Sequence, residues 1–285
     1  MVSRHTLREE IIRLGPWHLD VQVTDELSTR VALDAPEESF DKKLAPNPVS
    51  FLSPRDGWVQ LMKRVYPNGF EGRSFMEAAC NCGGYCFWAK EIGASECFGF
   101  DVRDHWIDQA RWLAEHRQWP SDGIRFEKLD VYDLPNSDLP TFDIVMFQGI
   151  FYHLPDPITA LKGAADLCGE LLLLDTAIRT DLPDGMLAIA EEAREPVMSG
   201  VYGLNWFPTG PVVLKTVLRW MGFPESRVIY WRKKKNRLNK EGLGRMRILA
   251  SRKEGLLEDF SEVTEPTHTD DRSTFKHATR NRAAD

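Results

Sequence analysis

The sequence predicts an α/β fold: a mainly parallel sheet with an antiparallel C-terminal strand and helices on both faces. Three observations predict it. From Phe75 onward, short apolar runs alternate with stretches of helical character, the rhythm of a parallel sheet covered on both sides. The first run, Phe75-Met76-Glu77-Ala78-Ala79, ends in an acidic residue and the small-residue turn Cys80-Asn81-Cys82-Gly83-Gly84 before a helical segment, Cys86–Ile92. A strand, a turn of small residues and a helix let backbone N–H groups approach a ligand closely. The next run, Cys97–Phe100, closes on Asp101. An acidic residue about 20 positions after a glycine turn is the ribose-binding arrangement of nucleotide-binding α/β folds.

Taken in order, Met1–Leu14 predicts an amphipathic helix with Leu7, Ile11, Ile12 and Leu14 on its apolar face, stopped by Gly15-Pro16. Trp17–Val23 alternates like a strand. Ala35–Pro54, rich in proline and charge, predicts a surface loop. A helix over Pro54–Tyr66 would start on Pro54 after Ser53 and bury Trp58, Leu61, Met62 and Val65. Predicted strands then follow at Phe75–Ala79, Glu96–Asp101, Ile124–Leu129, Phe142–Gln148 and Glu170–Thr176. The helices between them are Cys86–Ile92, His105–Gln118 and Pro157–Leu167. The rhythm breaks in Ala177–Pro208, which carries Tyr202, Trp206 and Phe207; an insertion there is a candidate substrate-binding element. A helix over Pro211–Met221 and two strands, Arg227–Trp231 and Gly244–Ser251, complete the pattern. The connection Arg232–Gly242 is too short for a packed helix, so those strands are expected to be antiparallel.

With 285 residues, 42% hydrophobic and 28% charged, the chain has the composition of a soluble globular protein. No run approaches a membrane span and the N-terminus has no secretory h-region, so no membrane partner and a cytoplasmic location are expected. The net charge of −7 argues against nucleic-acid binding driven by overall charge, though not against a local basic patch. Five cysteines suggest reduced thiols. Cys80, Cys82 and Cys86 lie close together without paired C-x-x-C spacing, so small buried side chains are expected and no metal site.

The order of glycine-rich turn, acidic end of the second strand, acidic residue after the third strand and loop after the fourth resembles a Rossmann-like class I S-adenosylmethionine-dependent methyltransferase. Glu77-Ala78-Ala79-Cys80-Asn81-Cys82-Gly83 stands where that family has D-x-G-x-G-x-G. A narrower resemblance, over about Trp17 to Ala250, is to the subgroup that includes tRNA wobble-uridine carboxymethyl transferases and related methyltransferases. It is carried by Cys80–Gly83, by Gln148-Gly149-Ile150-Phe151-Tyr152-His153, by Asn205-Trp206-Phe207-Pro208-Thr209, and by Arg245-Met246-Arg247-Ile248-Leu249-Ala250. The organisation expected is an N-terminal extension and cap over 1–70, a methyltransferase domain over 71–252 with the insertion 177–208, and a tail over 253–285 that is polar and without period and so is expected to be mobile.

The resemblance also implies roles. Glu77, Ala79, Asn81 and Gly83 form the turn under the methionine part of S-adenosylmethionine. Asp101 takes both ribose hydroxyls, with a helix N-cap as the plainer alternative. Asp130 meets the adenine amino group and Val131 offers its N–H, the alternative for Asp130 being an ordinary Asp turn. Gln148 and Gly149 line the sulfonium side. Tyr152 shapes the transfer pocket, and His153 acts as a base or else packs the Pro155–Pro157 loop. Tyr202 and Trp206 are expected on the substrate side. Arg245 matches the arginine that holds a carboxylated cofactor in the carboxymethyl subgroup, whose upstream lysine has no clear match; Lys42 and Lys43 stand in a different context.

The function expected is therefore methyl transfer from S-adenosylmethionine to a small-molecule or glycan acceptor. The alternatives are carboxymethyl transfer to tRNA, for which Arg232-Lys233-Lys234-Lys235 supplies a basic run, a non-catalytic S-adenosylmethionine-binding protein, and a dinucleotide dehydrogenase, which lacks an intact G-x-G-x-x-G turn.

Overall fold

A computed structural model describes residues 4–34, 51–194, 197–233 and 242–268. Residues 35–50 of the expected loop, with Lys42 and Lys43, and Lys234 and Lys235 of the basic run therefore lie outside the described residues. The elements are α1 (Arg4–Arg13), β1 (Gln22–Thr24), β2 (Leu27–Ser28), α2 (Arg55–Val65), β3 (Ser74–Ala78), α3 (Gly84–Glu91), β4 (Glu96–Asp101), α4 (Asp104–His116), β5 (Ile124–Lys128), β6 (Phe142–Gln148), α5 (Pro157–Asp166), β7 (Cys168–Arg179), β8 (Leu187–Glu191), β9 (Leu204–Pro208), α6 (Pro211–Trp220), β10 (Glu225–Lys233), β11 (Leu243–Ser251) and β12 (Thr267–His268).

The central sheet has eight strands in the order β12-β10-β11-β7-β6-β3-β4-β5. The pairs among β7, β6, β3, β4 and β5 are parallel, and β11 runs antiparallel to both β7 and β10. The chain order reverses between β3 and β6, and the loops after β3, β4, β5 and β6 all leave the sheet at its carboxyl edge. Such a switch point opens the crevice in which α/β folds bind ligands.

Near-continuous apolar runs make these strands, as burial on both faces demands. In β7, Leu171 to Leu174 are all at most 1% exposed. One face of the sheet packs on α2, α3, α4 and the N-terminal segment, the other on α5 and α6. Trp58 ties α2 to the sheet, with ring centroids 5.9 Å from Phe70, 5.8 Å from Phe75 and 5.5 Å from Tyr85, each edge-on.

Three expectations are corrected. Trp17–Val23 is not a strand along its length. Its alternate residues Trp17, Leu19, Val21 and Val23 are buried, yet the segment finds only a bridge from Leu19 to Leu52 and the short pair β1–β2. The period-2 pattern reports one buried side, not a neighbouring strand. The insertion 177–208 is less irregular than expected: β7 runs on to Arg179, and β8 and β9 form a separate antiparallel hairpin. The tail is packed as far as it is described. Leu257 and Phe260 are buried, Lys215 pairs with Glu262 at 2.9 Å, and β12 adds in parallel to β10. Residues 269–285 lie outside the described set.

Candidate active site

A cavity of about 880 Å³ opens at the carboxyl edge of the sheet. Its floor is the turn after β3. Ala79, Asn81 and Gly83 have φ of 53°, 54° and 76°. All three positions of the glycine pattern are thus left-handed, although only one is glycine. An L side chain there costs roughly 1–2 kcal/mol. Asn81 offsets part of this, because its Oδ1 accepts from Cys82 N at 2.8 Å. The turn keeps the backbone path that close approach to a ligand needs, which removes the motive for reading the chain as a binding protein with a degraded loop.

Two buried carboxyls face this floor. Glu77 is 4% exposed and accepts from Cys86 N at 3.3 Å. Burial pushes its carboxyl well above the usual carboxylate range, against the Cys86 hydrogen bonds. Asp101 is 6% exposed and accepts from Asn81 N and Arg103 N, each at 3.1 Å. Burial raises its pKa too, while those amides hold it down. The N-cap of α4 is Arg103, so the bond from Asp101 to Arg103 N is a local turn that aims the carboxylate into the cavity. The structure therefore separates Asp101 from the helix-capping role.

Asp130 does form the Asp turn: its Oδ1 accepts from Tyr132 N at 3.0 Å. Its other oxygen accepts from Tyr202 Oη. Two hydrogen bonds still leave acceptor capacity on a carboxylate, and both Asp130 and Val131 line the cavity. Tyr202, expected on the substrate side, lines the cavity and is tied through its hydroxyl to Asp130. Gln148 Nε2 donates to Tyr85 Oη at 2.8 Å, while its buried Oε1 has no partner. An orphaned carbonyl oxygen on the wall is costly unless a donor arrives, and the ammonium of a bound S-adenosylmethionine is such a donor. Asp101 adds a buried carboxylate on the same cavity wall that could accept from a diol; the residues fit that cofactor, which supplies an electrophilic carbon on a sulfonium.

The far wall is built differently. Gly149, φ 78°, donates to Asp175 O at 2.8 Å, and a Cβ on it would lie 3.6 Å from Arg245 Nη2. Asp175, 1% exposed, binds Arg245 through Nε and Arg247 Nη2 at 2.6 Å. Burial works against the Arg245 charge; Asp175 and Tyr152 outweigh it and raise the pKa. Arg245 Cζ stands 5.7 Å from the Tyr152 ring centroid. Tyr152 in turn stacks on Phe207 at 5.9 Å and on His153 at 3.9 Å.

Trp206 is corrected. In β9, Asn205 and Phe207 turn inward, so alternation sends Trp206 to the other face, across from Ile189, which is 57% exposed. It does not line the cavity. Asp175, Arg247, Arg232 and His18 line it and were not expected. Asp175 carried a signal, an acid directly after four leucines inside a buried strand. The five cysteines are all buried, with Cys97 and Cys168 pushed up to about 12 by burial. Among the described residues, no helix is long and apolar enough to cross a membrane.

Residues 76–171 match the family model described as "Methyltransferase domain". A tRNA U34 carboxymethyltransferase of Helicobacter pylori (strain Shi470) is 28% identical over 93% of this chain and 88% of its own length. The same enzyme of Campylobacter hominis is 35% identical, but that match spans only 36% of the relative and 37% of this chain. The solved N-terminal domain of EvdMO1, in the presence of SAH and D-fucose, superposes with a TM-score of 0.66 at 17% identity, covering 88% of this chain and 97% of that one. The chain therefore has the fold of a class I S-adenosylmethionine-dependent methyltransferase, matches a methyltransferase domain over residues 76–171, and is similar to tRNA U34 carboxymethyltransferases.

Proposed function

We propose that the protein transfers a carboxymethyl group from carboxy-S-adenosylmethionine to a tRNA nucleoside. The observation that carries this is the charge of the corner beside Gly149. Arg245 and Arg247 share one carboxylate, Asp175, and Arg232 stands across from Arg245 on the neighbouring strand. A sulfonium is itself a cation and gains nothing from such a corner. A carboxylate on the transferring carbon gains a charge-assisted hydrogen bond. The similarity to curated carboxymethyltransferases along most of the chain supports the same reading. Among the described residues no lysine lines the cavity, so arginine and Tyr152 would hold the carboxylate alone.

The reading that the sequence favoured, methyl transfer to a small molecule or glycan, is supported by a different observation. The EvdMO1 domain, whose structure was solved with D-fucose present, shares the fold over nearly its whole length. The net charge of −7 also suits a small acceptor better than a polyanion.

Mass spectrometry of the ligand that co-purifies with the protein separates the two. Carboxy-S-adenosylmethionine is expected. In binding assays Arg245→Met should lose about 10–100-fold in affinity for it, in line with losing a charged hydrogen bond of roughly 1.5–3 kcal/mol, while S-adenosylmethionine binding stays within a few-fold. Co-purification of S-adenosylmethionine alone, with Arg245→Met indifferent to both, selects the methyl reading.

A further inference from the structure

Glu192, just after β8, brings a buried carboxylate to His153. Its Oε1 lies 2.6 Å from His153 Nδ1, with the side chains 11% and 16% exposed. Asn205, with its amide nitrogen turned inward, reaches Glu192 Oε2 at 3.3 Å and Tyr152 O at 2.9 Å. The pocket is closed by Gly200, where a Cβ would stand 2.6 Å from Glu192 Oε2 and 2.9 Å from His153 Cβ. Any side chain there would drive the pair apart.

We propose that Glu192 is a positioning residue that holds His153 in the tautomer a general base needs. The inference rests on the group-transfer reading above. A carboxylate at 2.6 Å needs a proton between itself and the ring nitrogen. The Gly200 amide approaches the same Nδ1 at 3.2 Å and is the weaker claimant. With the proton on Nδ1, the lone pair is on Nε2, which has no partner among the described residues, on a ring that lines the cavity. The charged groups around the pair are Glu192 from the hairpin, Arg103 from the start of α4, which feels the Glu192 charge and binds Ser199 O, and Arg245 beyond Tyr152. An acceptor that carries a proton must shed it as it attacks, which is the task a base in this position performs. The acceptor atom forms a bond to the sulfonium-borne carbon, and the carbon–sulfur bond breaks with its electron pair left on sulfur as a neutral thioether. The acceptor's proton passes to His153 Nε2, and Glu192 balances the imidazolium.

The test is long-range proton–nitrogen NMR of the histidine rings, with the His153 signals assigned by their loss in His153→Gln. Neutral His153 is expected as the Nδ1–H tautomer. In Glu192→Ala the Gly200 amide becomes the sole neighbour of Nδ1, and the tautomer should invert to Nε2–H, with S-adenosylhomocysteine affinity unchanged. A wild-type ring already in the Nε2–H form overturns the proposal, even where Glu192→Ala fails to fold; so does an Nδ1–H ring that Glu192→Ala leaves as it was. With bulk tRNA and D-fucose as acceptor probes, Glu192→Ala should slow transfer about 100-fold; an unchanged rate overturns the positioning role. Failure of both probes counts against the proposed function alone, and the tautomer then decides the role of Glu192.

Discussion

The two ends of the cavity hold their charged groups by different means. At the end proposed for the cofactor, Asp101 and Asp130 accept from backbone amides in the fold's own turns, those of Asn81, Arg103 and Tyr132, with one side chain, Tyr202, added on Asp130. At the acceptor end, charged side chains hold one another: Asp175 with Arg245 and Arg247, His153 with Glu192. Backbone amides stay in place when a carboxylate is removed. A charge pair does not survive the loss of one member, because the other is left buried and unmatched. Loss of a carboxylate at the first end should therefore show mainly in binding, and loss of the carboxylate that two arginines share at the second end mainly in stability.

The largest effect follows directly. Asp175→Ala removes the carboxylate that Arg247, 1% exposed, and Arg245, 22% exposed at its side chain, share. Breaking one partner of a buried pair costs about 3–5 kcal/mol. Urea unfolding should show a loss of that size; a loss under about 1 kcal/mol would mean that the acceptor end does not depend on its charge pairs and would erase the contrast.

Next comes Asp101→Ala. Losing charge-assisted contacts to a diol costs roughly 1.5–3 kcal/mol, so calorimetry should find S-adenosylhomocysteine bound about 10–100-fold more weakly. Stability should change little, since the amides of Asn81 and Arg103 border an open cavity and can turn to water. A folded variant with an unchanged dissociation constant would remove Asp101 from the ribose site.

The same contrast governs what was legible in the sequence. The cofactor end is local: a turn, then an acid about 20 residues on, at spacings that the fold itself imposes. So Glu77, Asp101, Asp130 and the central strands could be placed from the chain alone. The acceptor end is not local. Glu192 meets His153 across 39 positions, and Asp175 meets Arg247 across 72, through strand pairings that no short pattern announces. Trp206 failed for a subtler reason. The aromatics of the insertion were read as one group, but β9 alternates, and one residue of register decides which of Trp206 and Phe207 faces the site.

Glu77 sharpens the comparison through pH. Burial raises its folded-state pKa above the unfolded value. The stability it contributes is complete below the ordinary glutamate range and declines as pH rises toward the folded pKa. Glu77→Gln keeps an acceptor for Cys86 N and removes the titration. Thermal unfolding from pH 5 to pH 8 should show the variant gaining on the wild type as pH rises. A wild-type advantage that grows with pH would mean that the carboxylate is stabilised where it sits, contrary to its surroundings.

The smallest effect tests the backbone end by itself. Ala79 and Asn81 share a left-handed conformation, at φ 53° and 54°, but not its cost. Asn81 binds the next amide through its own Oδ1 and tolerates this region. Ala79 has no such compensation. Glycine at 79 removes roughly 1–2 kcal/mol of steric cost and gives back about 0.5–1 kcal/mol in unfolded-chain entropy. Ala79→Gly should therefore stabilise the protein by about 0.5–1 kcal/mol, a rise in melting temperature of roughly 1–4 °C for a domain of this size. Asn81→Gly loses the hydrogen bond to Cys82 N and should gain nothing. S-adenosylhomocysteine affinity should be the same in wild type and Ala79→Gly, because the turn already follows the path that glycine would take. If Ala79→Gly tightens binding without raising the melting temperature, the wild-type turn reaches the required path only when ligand is present, and the cofactor end is less preorganised than its backbone geometry indicates.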